Sequence, residues 1–140
     1  FSHYFVWEAF SFSFKTIAVV GLSPNISRPS SFVSTYMENK GYRIFPVNPG
    51  HNDIGNNKCY KRLIDIKQKI DIINIFRKSE HVLPIVHDSI KIGAKAIWMQ
   101  DGILIENAKE IAKKNNLIIV MNDCIMRQHR SFKDWLNTEN

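Results

Sequence analysis

The chain has 140 residues, of which 44% are apolar and 23% charged, and its 19 Lys+Arg against 13 Asp+Glu give a formal charge of +6. That size suits one domain with a full hydrophobic core, and the composition excludes a disordered chain. The positive excess permits an anionic partner without choosing among nucleotide, nucleic acid and acidic protein.

The first fourteen residues, F-S-H-Y-F-V-W-E-A-F-S-F-S-F, are aromatic and lack the basic region that opens a secretory signal. They are expected to pack on the domain as a helix or strand, or to be a remnant of an upstream extension. Residues 16–20 (T-I-A-V-V) form a β-branched run that ends at Gly21 and predicts a buried strand. After a turn-rich loop, Ser30 or Ser31 is expected to cap a helix running through Lys40. Phe32, Val33, Tyr36 and Met37 share one of its faces, and Gly41 ends it. The run R-I-F-P-V at 43–47 predicts a second strand. Asn48-Pro49-Gly50 predicts a turn, and 50–61 a polar loop.

Residues 70–76 predict a third strand. A helix is expected from Ser79, with Pro84 in its first turn or so, closing at Gly93. A-I-W-M predicts a fourth strand. Ile105–Asn115 reads as a helix burying Ala108, Ile111 and Ala112, and L-I-I-V-M as a fifth strand. The tail 123–136 is expected to end in a short helix carrying Phe132, Trp135 and Leu136. Strands alternating with helices, each strand apolar on both faces, predict an α/β fold. The expected architecture is a doubly wound, mainly parallel five-stranded sheet with helices on both faces. No run approaches the roughly 20 apolar residues of a membrane span.

In such sheets a ligand sits beyond the carboxyl ends of the strands, at the switch point of the strand order. After strand one, Gly21 allows a sharp turn. Ser23, Ser30 and the helix start offer donors, and Arg28 adds charge, a set suited to a phosphate. The dinucleotide fingerprint lacks two of its three glycines, at Ser23 and Ile26, and strand two ends without an acid, which disfavours NAD(P). There is no Walker loop, and no acidic pair follows strand one as in a phospho-receiver.

These strand ends resemble the small stand-alone CoA-binding domain proteins, which are similar to the CoA-binding, Rossmann-like domain of the succinyl-CoA synthetase α-subunit. The matching pieces are K-T-I-A-V-V-G-L-S-P at 15–24, R-P-S at 28–30 and G-Y-R-I-F-P-V-N-P at 41–49. Further on come I-D-I-I-N-I-F-R-K-S-E at 70–80, G-A-K-A-I-W-M-Q at 93–100, and C-I-M at 124–126 followed by His129. The resemblance covers about residues 15–130. It implies a CoA-binding domain over 15–140, with 1–14 an extension that does not look like the charged helix usual in such proteins.

By the same resemblance, Gly21, Leu22, Ser23, Arg28 and Ser30 would form the phosphate loop. Val47, Asn48 and Pro49 would line the adenosine side. Phe76, Arg77 and Lys78, and then Met99 and Gln100, would line the rest of the crevice. Where the synthetase has a lysine after the second strand this chain has His51, a weaker cation at neutral pH. Arg77 could serve in its place. The implied ligand is coenzyme A or an acyl-CoA.

Catalysis is not expected. His81 and His87 are six residues apart and do not share a helix face as metal ligands would, so no metal site is expected. Cys124 with His129 has the residue types of a thiolate nucleophile, yet a free cysteine is usually a small buried apolar residue. Cys124 also follows strand five, where it could exchange with the thiol of a bound cofactor. The two cysteines, Cys59 and Cys124, lie far apart, so no disulfide framework or zinc site forms from them, and a reducing compartment, the cytoplasm, is the simplest setting. Arg127, Arg130 and Lys133, interleaved with Phe132 and Trp135, are the only nucleic-acid-like feature. The other lysines are scattered over helix surfaces, so no nucleic-acid partner is expected.

Overall fold

The computed structural model describes residues 13–139. The expected helix or strand of the aromatic start falls almost wholly outside them. Phe14, at its inner end, is buried in the core.

The five apolar runs form one all-parallel sheet: β1 (Thr16–Val20), β2 (Arg43–Val47), β5 (Ile72–Ile75), β6 (Ala96–Met99) and β7 (Ile118–Val120), in the order β2-β1-β5-β6-β7. Helices cover both faces, as continuous apolar strands require. The helices α1 (Pro29–Asn39) and α4 (Ile125–Glu139) pack on one face, with Val33, Met37, Ile125 and Phe132 against Ile17, Ile72 and Trp98. On the other face α2 (Val82–Lys91) and α3 (Ala108–Asn115) bring Val82, Val86 and Ile111 against Ala18, Ile73 and Ile97. This is the expected Rossmann-like three-layer α/β fold.

Pro46 lies within β2, which is an edge strand where proline is tolerated. Its carbonyl faces away from β1 and accepts the Tyr60 N–H at 2.9 Å. At the amino end of the sheet, Asp71 ties β1 to β5. Its carboxylate accepts the Lys15 N–H at 2.8 Å, and Thr16 Oγ1 accepts the Asp71 N–H at 2.9 Å.

Several boundaries differ from expectation. Helix α1 starts at Pro29 with Arg28 in the cap position, and neither Ser30 nor Ser31 caps it. Proline at the first helical position already has the right φ and no N–H to satisfy. Its buried residues are Ser30, Val33, Ser34 and Met37, whereas Phe32 is 44% exposed. The loop 50–61 contains a two-stranded hairpin, β3 (Asp53–Ile54) and β4 (Asn57–Lys58). Helix α3 starts three residues late, after Asn107 in the left-handed region (φ 60°), and Ile111 and Ala112 are only half-buried. The terminal helix α4 is long, at 15 residues.

Candidate functional site

The order of strands reverses at β1: the chain moves outward to β2, then crosses back to β5. Between the carboxyl ends of β1 and β5 lies the switch point, where such sheets form a crevice. Gly21 sits there with φ +89°, its N–H bonded to the Val47 carbonyl at 2.9 Å. A Cβ at this position would lie 2.8 Å from the Phe76 carbonyl oxygen and 3.1 Å from Arg77 Cδ. Glycine is therefore required twice, for its backbone conformation and for the close approach of β5.

The loop that follows is held by its own side chains. Ser30 Oγ accepts the Ser23 N–H at 2.9 Å, which pulls the loop onto the first turn of α1. Ser23 Oγ accepts the Asn25 N–H, and Asn25 Oδ1 accepts both the N–H and the hydroxyl of Ser27. Asn48 clamps the same loop to the end of β2. Its Nδ2 donates to the Leu22 carbonyl at 2.9 Å, while its Oδ1 accepts the Gly50 N–H at 3.0 Å.

Three clefts run side by side across the strand ends. The first, about 360 Å³, lies over the loop and is lined by Gly21, Ser23, Arg28, Pro29, Ser30 and Phe76. A second, about 330 Å³, lies over the ends of β1 and β2 on the α2 side, lined by Val20, Val47, Pro49, Arg62, Arg77, Glu80 and Asp88. The third and largest, about 580 Å³, extends toward β6 and β7 between α1 and α4. It takes in Phe32, Phe76, Arg77, Gln100, Ile103 and Cys124. Phe76 is shared by the first and third clefts, and Arg77 by the second and third.

Arg28 and Arg77 are the informative cations. Neither pairs with a carboxylate among the described residues: Glu80 instead lies 3.6 Å from His81, and Arg62 takes Asp88 at 3.3 Å. The start of α1 adds its partial positive charge to the first cleft. Lys78 is exposed at the edge of the third. This set can hold an anion at the switch point through charge-assisted bonds.

Other residues that the resemblance pointed to stand elsewhere. Leu22 is 4% exposed and belongs to the core, where its carbonyl serves the Asn48 clamp. Met99 is fully buried under the α2/α3 face and lines none of the three clefts. His51 lines none of them either. Gln100, next in sequence to Met99, does line the largest cleft. It is nearly buried, and its Nε2 donates to Asn74 Oδ1.

Sequence reasoning missed the outer wall of that cleft. Arg127 donates to both carboxylate oxygens of Asp101, at 2.8 and 3.2 Å, and to Asp123 Oδ1 at 2.9 Å. These bonds push the Arg127 pKa up and hold the Asp101 carboxyl below its usual range. Asp123 Oδ1 also accepts the Cys124 N–H at 2.8 Å at the start of α4. In the sequence Arg127 read as part of a basic tail, and only the fold brings Asp101 to it.

Cys124 and His129 have separate surroundings. Cys124 lines the largest cleft, while His129 lines a cavity of about 110 Å³ with Lys15, Lys40, Tyr42 and Lys133. His129 Nδ1 hydrogen-bonds the Tyr36 hydroxyl at 2.9 Å, and the ring lies edge-on to Tyr36 and Tyr42. Burial, with Lys133 and Lys40 nearby, lowers its pKa to about 4. Among the described residues no group of three His, Cys, Asp or Glu could hold a metal ion, and no helix is long and apolar enough to cross a membrane.

Sheet order and the switch point define a Rossmann-like α/β domain. Within that class the sequence is specific. The CoA-binding domain model matches residues 15–130, and the chain belongs to that family. It is 36% identical over 115 residues to the uncharacterized protein YneT of Bacillus subtilis (strain 168), spanning 82% of this chain and 85% of YneT. A hypothetical protein from Pyrococcus horikoshii OT3, of solved structure, superposes with a TM-score of 0.88 at 34% identity, over 94% of this chain and 92% of its own. The ADP-forming acetate–CoA ligase of Methanocaldococcus jannaschii is 28% identical over 125 residues, which cover 82% of this chain but only 18% of the ligase. The chain is thus homologous to the CoA-binding domain of such ligases and spans about a fifth of their length.

Proposed function

We propose that this chain binds coenzyme A by its nucleotide end and holds it without a chemical step of its own. The observation that carries this reading is the pair Arg28, at the cap of α1, and Arg77, just after β5, each without a carboxylate partner among the described residues. Paired surface arginines are common, whereas unpaired ones at a switch point suit an anionic ligand.

CoA carries a pyrophosphate and a 3′-phosphate, and the residues fit that donor demand. Arg28, the Ser23–Ser30 loop and the start of α1 take the pyrophosphate. Arg77, shared by the second and third clefts, takes a second phosphate, with Val47 and Pro49 of the second cleft against the adenosine. Asn48 acts indirectly by fixing the loop through Leu22. The holding role is supported by the one carboxylate that lines the largest cleft among the described residues, Asp101, which is engaged by Arg127. A cytoplasmic setting follows from the ligand, and the two free, buried cysteines suit it.

A thermal-shift series with CoA, acetyl-CoA, NAD, NADP and ATP tests the reading. CoA at about 100 times its dissociation constant is expected to add roughly 2.7 kcal/mol to the native state. Stabilisation by NAD or NADP without CoA would replace this reading with a dinucleotide-binding domain.

A further inference from the structure

The three clefts change character along the sheet. The cleft over the β1 loop is cationic and hydroxylic, with Arg28, Ser23 and Ser30, and the second sets Arg77 beside the Arg62–Asp88 pair and Glu80. Toward β6 and β7 the third cleft, about 580 Å³, adds a broad apolar surface of Pro29, Phe32, Val33, Ile103 and Met126, with Arg77 and Lys78 also in its lining. Phe32 is 44% exposed although it faces this cleft. Arg127, which α4 places on this wall, is already neutralised by two carboxylates.

A polar group stands inside this apolar lining. Gln100 is 4% exposed and its Nε2 is taken by Asn74, which is 1% exposed. Gln100 Oε1 has no hydrogen-bond partner among the described residues. Buried amide oxygens are rarely left so, and one that lines a cleft is set to accept from a ligand.

We propose that the cleft between α1 and α4 holds the acyl end of a CoA thioester, so that the ligand is an acyl-CoA with a short or medium acyl chain. This rests on the CoA reading above. The sheet edge runs from phosphate-binding to apolar, as does a molecule with a phosphorylated head and an acyl tail. Gln100 Oε1 accepts the N–H of the pantetheine amide nearest the sulfur. Two methylenes further on, the thioester enters the apolar part, and the acyl chain packs on Phe32, Ile103 and Met126. A free thiol would end before this surface and leave it wet, whereas each methylene added buries more of it.

Calorimetric titrations of the whole chain with adenosine 3′,5′-bisphosphate, CoA and hexanoyl-CoA test the proposal. Hexanoyl-CoA is expected to bind roughly tenfold more tightly than CoA. Phe32→Ala, an exposed position that leaves the core intact, is expected to cut that ratio to about twofold. Gln100→Leu is expected to weaken CoA and hexanoyl-CoA but not the bisphosphate, which lacks the pantetheine amide. CoA binding with no gain from the hexanoyl group overturns the proposal and leaves the CoA reading standing. Binding of none of the three overturns both.

Discussion

A methyl group at position 21 would meet the Phe76 carbonyl at 2.8 Å on a backbone with φ +89°. Gly21→Ala is therefore expected to destabilise the fold by roughly 1–3 kcal/mol and to push β5 away from the loop. Chemical denaturation reads the first effect and CoA titration the second. Unchanged stability would mean that the strand ends are looser than this contact implies. Position 21 was legible in the sequence, because a glycine directly after a buried apolar run marks the sharp turn off the end of a strand. The split between Met99 and Gln100 was not. Adjacent residues at a strand end face opposite sides, and only the packing of α1 and α4 decides which side holds the cleft. The partner of Gln100, Asn74, stood unnoticed inside an apolar run because a contact 26 residues away leaves no local pattern.

Helices α1 and α4 are joined through His129, whose Nδ1 hydrogen-bonds the Tyr36 hydroxyl and whose ring is 3% exposed. Burial, Lys133 and Lys40 hold its folded pKa at about 4, below the unfolded value of 6.5. A depressed histidine pKa means that the unfolded chain takes up the proton first. Stability from this site is complete above pH 6.5 and is lost as pH falls from there to about 4, by up to about 3 kcal/mol. Melting temperature against pH should fall through that window, and His129→Gln should flatten the fall. An equal slope in the variant would assign the acid sensitivity to other groups. At the same scale the sequence located every strand of the five-stranded sheet, since a parallel strand buried on both faces is a continuous apolar run. It missed the hairpin at 53–58 because strands of two residues carry no alternation. It misplaced the cap of α1 because Ser30 spends its hydroxyl on the Ser23 N–H, a bond outside the helix.

At the scale of the whole molecule, the order of strands gathers residues 21, 28, 47, 77 and 100 along one edge of the sheet. The alternation of strands and helices foretold that arrangement, and the strand-end motifs foretold the family. The ion cluster of Arg127 with Asp101 and Asp123 beside the largest cleft was not foretold, because Arg127 looks like part of a basic tail until the fold brings Asp101 to it. The bulk charge of +6 therefore says little about the ligand, and Arg28 and Arg77, without carboxylate partners among the described residues, say more. The central claim is that these arginines hold the phosphates of CoA. Calorimetric titration of CoA into the native chain and into the Arg28→Ala/Arg77→Ala double variant tests it most directly. The account predicts one saturable site in the native chain and an affinity lower by about 100-fold in the variant, from the loss of two charge-assisted contacts. Equal affinity in both would contradict it.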